Sequence, residues 1–163
     1  MGRGWIAAAA ATAVLLGSCS LLQHVQRLGV SSQEGDLVVH YVPCPGQAVA
    51  AVRASLGDPD EGGQVIWEIT RAPGPSPVEA RGEQTYALGS VPDLFRESVS
   101  LEETPAPDAE VVVEVGVISE RGGTSTLSLT FAPGSLEPGR ILTLGGSKDP
   151  ATYREEALTT CEG

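Results

Sequence analysis

From Asp36 to Gly146 the apolar residues recur at every second position, in short runs. "QVIWEITR" (64–71) sets Val65, Trp67 and Ile69 against Ile66, Glu68 and Thr70. "TSTLSLTF" (124–131) sets Leu127, Leu129 and Phe131 against Thr126, Ser128 and Thr130. A period of two sends alternate side chains to opposite faces, the signature of a half-buried strand. Further candidates are "LVVHYV" (37–42), "AVAAVRASL" (48–56), "QTYALG" (84–89), "RESVSLE" (96–102), "EVVVEVGVIS" (110–119) and "GRILTLGG" (139–146). "LVVHYV" is rich in β-branched and aromatic residues, and "EVVVEVGVIS" is the most strongly β segment of the chain. "ERGG" between 119 and 124 is short and Gly-containing, so the strands it joins are expected to form an antiparallel hairpin. The chain has 20 Gly and 12 Pro, enough to punctuate every run with a turn. Seven or eight short strands of this kind predict an all-β domain, an antiparallel β-sandwich.

The strand spacing resembles that of immunoglobulin-like sandwiches, with Trp67 where such a fold keeps a core tryptophan. No tyrosine corner is evident near the sixth strand. The period changes at the C-terminus. In "KDPATYREEALTTC", Asp149 can cap a helix and Pro150 fits its first position. A short helix of about three turns is expected, placing Tyr153, Ala157, Leu158 and Cys161 on one face.

The N-terminus follows different rules. Arg3 is its only charged residue, and Ile6 to Leu16 is an apolar stretch of eleven residues. A membrane-crossing helix takes about 20 apolar residues, so this stretch fits a secretory leader better than a permanent span. Leu16-Gly17-Ser18-Cys19 resembles the lipobox of bacterial lipoproteins: an aliphatic residue, two small residues, then cysteine. The resemblance implies cleavage between Ser18 and Cys19 and a thioether from the Cys19 sulfur to diacylglycerol. The new amino group is then open to acylation, with a fatty acid such as palmitate. Two or three chains suffice for stable anchoring, where one is marginal. The start "MGRGWI" is not a myristoylation signal, because Ile6 stands where Ser or Thr is required.

The expected organisation is a signal peptide over 1–18, a lipidated cysteine and tether over 19–35, and the β-sandwich with its helix over 36–163. In the tether, Leu21, Leu22, Val25 and Leu28 fall on one helical face, and "SSQEG" reads as loop. Losing residues 1–18 leaves 145 of 163 residues, one domain's worth, and moves the net charge of −11 to about −12. Such acidity repels nucleic-acid phosphates, and no basic patch with interleaved aromatics offsets it. Nucleic acid is therefore not an expected partner. Two cysteines remain beside Cys19. In an exported domain Cys44 and Cys161 are expected to form a disulfide, pinning the end of the C-terminal helix.

Catalytic groups are scarce. The two histidines are His24, in the tether, and His40, on the first strand. A Ser-His-Asp arrangement would have to use His40, and no G-x-S-x-G turn supplies the serine. His40 is read as an ordinary strand residue, and no common catalytic zinc set can be assembled. "DPDEGG" (58–63) superficially resembles a calcium loop, but Gly62 replaces the fifth-position ligand and Ile69 the twelfth-position glutamate. It is read as a strand-connecting turn. Glu102-Glu103 and Glu155-Glu156 are sequence neighbours expected to point to different sides of their elements, a poor geometry for paired-carboxylate chemistry. In "GSVPDLF" (89–95), Leu94 and Phe95 are expected to plug the end of the sandwich, with an exposed docking edge as the other reading. The proline-rich loops 72–83 and 102–110 are expected at the surface, where function often sits.

These readings converge on a cell-envelope lipoprotein, held to the membrane by lipid at Cys19 and facing the extracytoplasmic side. No catalytic residue, cofactor or metal is expected. The expected role is non-catalytic: binding, or accessory service to an envelope protein partner. A small-ligand or metal-binding carrier is the alternative, and an enzyme the remaining one.

Overall fold

The computed structural model describes residues 26–73 and 82–161. The lipobox Leu16-Gly17-Ser18-Cys19, the cleavage site Ser18–Cys19, His24 and the apolar tether positions 21, 22 and 25 lie outside the described residues. So does most of the loop 72–83.

Among the described residues ten strands and one α-helix follow in order. They are β1 (Leu28–Gln33), β2 (Asp36–Tyr41), β3 (Gln47–Leu56), β4 (Gln64–Arg71) and β5 (Gln84–Ala87). After these come β6 (Phe95–Val99), β7 (Val111–Ser119), β8 (Thr124–Phe131), β9 (Ile141–Thr143), β10 (Gly146–Lys148) and the helix α1 (Pro150–Thr159). They form two antiparallel five-stranded sheets, ordered β10-β9-β1-β2-β5 and β6-β4-β3-β7-β8. The β-sandwich read from the alternation is the fold of the chain. The β7–β8 hairpin forms as expected, in unbroken register from Val111↔Phe131 to Ile118↔Thr124.

The core lies between the sheets. Leu28, Val30, Val39 and Tyr41 of the first sheet meet Val52, Trp67, Ile69, Val113, Val115 and Leu129 of the second. Trp67 and Ile69 are fully buried, whereas Val65 is only half-buried. The reason is a bulge: Ala54 pairs with Trp67 but Ser55 with Val65, so strict alternation breaks at Ile66.

Two strands exceed the expected eight. The span 139–146 is a hairpin of β9 and β10 turning through Leu144-Gly145, not one strand. The other is β1, which occupies the second half of the segment read as tether. Described structure therefore begins ahead of residue 36, and β1 sits inside its sheet between β9 and β2. Helical spacing and loop-like "SSQEG" both misled. Ser31 and Ser32 belong to the ladder with Val38 and Leu37, and Glu34-Gly35 make the hairpin turn, with both φ angles positive.

Helix α1 starts as its sequence dictates. The Asp149 carboxylate accepts from the Ala151 and Thr152 amides at 3.1 and 3.0 Å, and Pro150 opens the first turn. Tyr153 and Ala157 pack with Val42 and Ile141 on the outer face of the first sheet. Leu158, expected on that face, is 51% exposed, and Cys161 is joined to Cys44 with a Cα separation of 5.3 Å. Phe95 packs on the core and meets Tyr86 edge-on at 5.6 Å, but its neighbour Leu94 is 70% exposed, so only one of the two plugs the sandwich.

Candidate functional site

Two places gather polar or apolar groups in a way that could serve a function. The first is the outer face of β1 and β2. Because Leu28, Val30, Val39 and Tyr41 point into the core, Gly29, Ser31 and His40 point out, towards α1. Gly29 and His40 stand opposite each other in the ladder. Gly29 has no side chain for a reason: a Cβ there would lie 2.4 Å from Ile141 Cγ2 and 3.4 Å from Tyr153 Cε2. The close approach lets the Tyr153 hydroxyl donate to the Arg27 carbonyl at 2.7 Å and brings its ring edge-on to His40.

His40 was read as an ordinary strand residue, but it is the centre of a buried relay. Its Nε2 lies 2.7 Å from Ser31 Oγ and its Nδ1 2.6 Å from Glu83 Oε1. The Gln33 side-chain Nε2 donates to Ser31 Oγ, and Arg154 donates to the second oxygen of Glu83. The network assigns the protons. The Ser31 hydroxyl donates to Nε2, and Nδ1–H donates to the ionised Glu83. Burial disfavours the charged imidazole and outweighs the Glu83 hydrogen bond and charge, so the His40 pKa falls below its ordinary value of 6.5. For Glu83, burial acts upwards, but the hydrogen bonds from Arg154 and His40 prevail and hold its carboxyl below the usual range.

The connectivity matches that of a serine–histidine–acid relay, but the setting differs from a catalytic one. Ser31 is 4% exposed and lies in mid-strand, flanked by β2 and β9. Its backbone is engaged in a ladder rather than turning out to offer amides to an oxyanion. What the relay does visibly is fasten: through Glu83 and Arg154 it ties α1 and the segment before β5 to the first sheet.

A pH dependence follows. A histidine whose pKa is depressed on folding binds fewer protons in the native chain than in the unfolded one. Stability is therefore full above about pH 6.5 and is lost as pH falls towards the folded pKa. Glu83, also depressed, adds a second loss below about pH 4.5. The urea midpoint should drop between pH 7.5 and 5 in the native chain and drop less in His40→Gln. Equal slopes would remove His40 from this role.

The second place is a groove of about 540 Å³ on the second sheet. Leu56, Val65, Ile66 and Val99 contribute apolar surface from β3, β4 and β6, and the buried Pro105 comes from the irregular segment after β6. That segment is held by a hydrogen bond from the Gly134 amide to the Pro107 carbonyl, 2.7 Å. Glu102 and Glu103 both line the groove, and both are exposed. The strand ends at Val99, so alternation no longer governs them. Nothing in the local sequence announced the groove, because it depends on how 100–109 folds back over the sheet.

The remaining sequence candidates resolve simply. Asp58 caps a single 3-10 turn, Pro59–Glu61, accepting from the Asp60 amide at 2.8 Å. Glu156 pairs with Lys148, while Glu155 is exposed. Among the described residues no group of three or more His, Cys, Asp or Glu side chains is placed to hold a metal ion. Nor, among them, is any helix long and apolar enough to cross a membrane. Comparison with family models, curated proteins and solved structures gave no match.

Proposed function

We propose that the chain is a bacterial cell-envelope lipoprotein, anchored through lipid at Cys19, whose domain binds a partner protein rather than transforming a substrate. The leader and the lipobox support the anchor. The Cys44–Cys161 bridge is in keeping with an oxidising compartment. The observation that carries the binding role is the groove, with its apolar lining and the carboxylates of Glu102 and Glu103. That pairing suits a short apolar segment of another envelope protein bearing basic residues.

The test uses the full chain in nanodiscs of zwitterionic lipid. A fluorescent peptide alternating leucine and lysine should raise its anisotropy on binding, and a leucine–glutamate peptide should not. Reversing both groove carboxylates, Glu102→Lys with Glu103→Lys, should weaken binding roughly tenfold, two exposed charge contacts being worth about 0.5–1 kcal/mol each. Binding that ignores the reversal, or no binding, overturns the reading. The mass of the N-terminal peptide checks the anchor: acyl mass on Cys19 supports it, and an unmodified residue refutes it.

A further inference from the structure

Each sheet of an open sandwich has two edge strands, and an unpaired edge is a template for another chain. Three of the four edges here are blunted. β10 has three residues and ends in Lys148; β5 has four. β6 has five, carries Arg96 and Glu97, and is bulged against β4 at Glu68/Ile69.

The fourth edge, β8, has none of these protections. It is eight residues long, "TSTLSLTF", with no charge and no proline. Its register with β7 is unbroken, so no bulge twists it away. Leu127, Leu129 and Phe131 are buried inward, and Thr126, Ser128 and Thr130 are exposed. Among the described residues no strand pairs with its free side.

We propose that two copies of the chain pair through β8, edge to edge and antiparallel, joining two five-stranded sheets into one. Charge leaves β8 open to a second copy: a chain of net charge −11 repels its own copy over most of its surface, but β8 presents an edge strand without a charge. The strand is also self-complementary. Apolar face meets apolar face only when residues of like parity stand opposite. Centring the strand on itself then sets Ser128 against Ser128 of the partner subunit, and Thr126 against Thr130 of the partner subunit. Cross-strand hydroxyl pairs of this kind are favourable. A single strand pair buries less than the ~1,600 Å² of a standard interface, so the dimer should be weak and reversible. The surface is separate from the groove, which lies on the β4 and β6 side of the same sheet, so failure of one reading leaves the other intact.

Sedimentation velocity of the full chain in nonionic detergent tests this across a hundredfold concentration range. The native chain should pass from monomer to dimer, and added salt should favour the dimer by screening repulsion. Ser128→Lys sets two ammonium groups across the two-fold axis and should leave a monomer. Mixing it with Ser128→Glu should restore the dimer. Circular dichroism checks that each variant is folded, and if Ser128→Lys is not, Ser128→Glu alone, which sets two carboxylates across the same axis, should leave a monomer in its place. A native chain that stays monomeric, a dimer indifferent to the lysine, or no rescue by mixing would overturn the proposal. So would a photo-cross-linker at position 128 that captures a different protein and no second copy.

Discussion

Cys161→Ser should lower the stability of the domain by about 4–5 kcal/mol, the entropy of closing so long a loop in the unfolded chain. The bridge spans 117 residues. Its Cys44 end is held firmly: the buried Arg27 donates to Cys44 Sγ at 3.0 Å and to Gln47 Oε1 at 2.7 Å, and the Cys44 amide donates to the same Gln47 oxygen at 3.2 Å. The Cys161 end follows directly on α1. Without the bridge the last turn of the helix should fray, while Tyr153, hydrogen-bonded to the Arg27 carbonyl, still pins the first. Thermal melting with circular dichroism measures both effects. A drop on the order of 10–15 °C with a small loss of helical signal is expected. An unchanged melting point would mean that the unfolded chain is already compact enough to make the bridge redundant.

Trp67→Ala should cost about 3–5 kcal/mol, the usual range for emptying a buried aromatic site. Trp67 is fully buried on β4, opposite Ala54, so the neighbouring side chain is too small to fill the space. Its indole nitrogen has no hydrogen-bond partner among the described residues. Trp67→Phe therefore removes an unpaired buried donor as well as volume, and should cost clearly less, about 1–2 kcal/mol. Urea midpoints of the two variants decide the matter. Equal losses would show that the indole N–H does find a partner in solution.

The sequence made some elements plain and hid others for physical reasons. β4, β7 and β8 are half-buried or edge strands, and their alternation is what a strand with one wet face must show. α1 was legible from Asp149 and Pro150 because capping is local chemistry. β1 was not. It is buried on both faces, one by the core and one by the outer-face packing that includes α1, so Gly29 and Ser31 occupy positions where alternation predicts polar solvent-facing residues. Only the tertiary contact explains them. The relay escaped for a similar reason. His40 is 9 residues from Ser31 and 43 from Glu83, and no spacing rule joins three residues across two strands and a loop. The β9–β10 turn did leave a sign: Gly145-Gly146 is common hairpin chemistry, and reading 139–146 as one strand passed over it.

The long bridge also governs how the molecule answers a mechanical load. A pull on the two chain ends is carried across the sulfur–sulfur bond, so the polypeptide between Cys44 and Cys161 feels no end-to-end tension. Of the described residues, only those ahead of Cys44 can be drawn out, which means peeling β1 from β9 and β2 and then β2 from β5. At roughly 3.5 Å per residue, that segment of the described chain lengthens by no more than about 60 Å. The second sheet, with its groove and its open edge, lies wholly inside the closed loop and bears none of the pull. The domain behaves under tension as a short extensible leash attached to a closed ring.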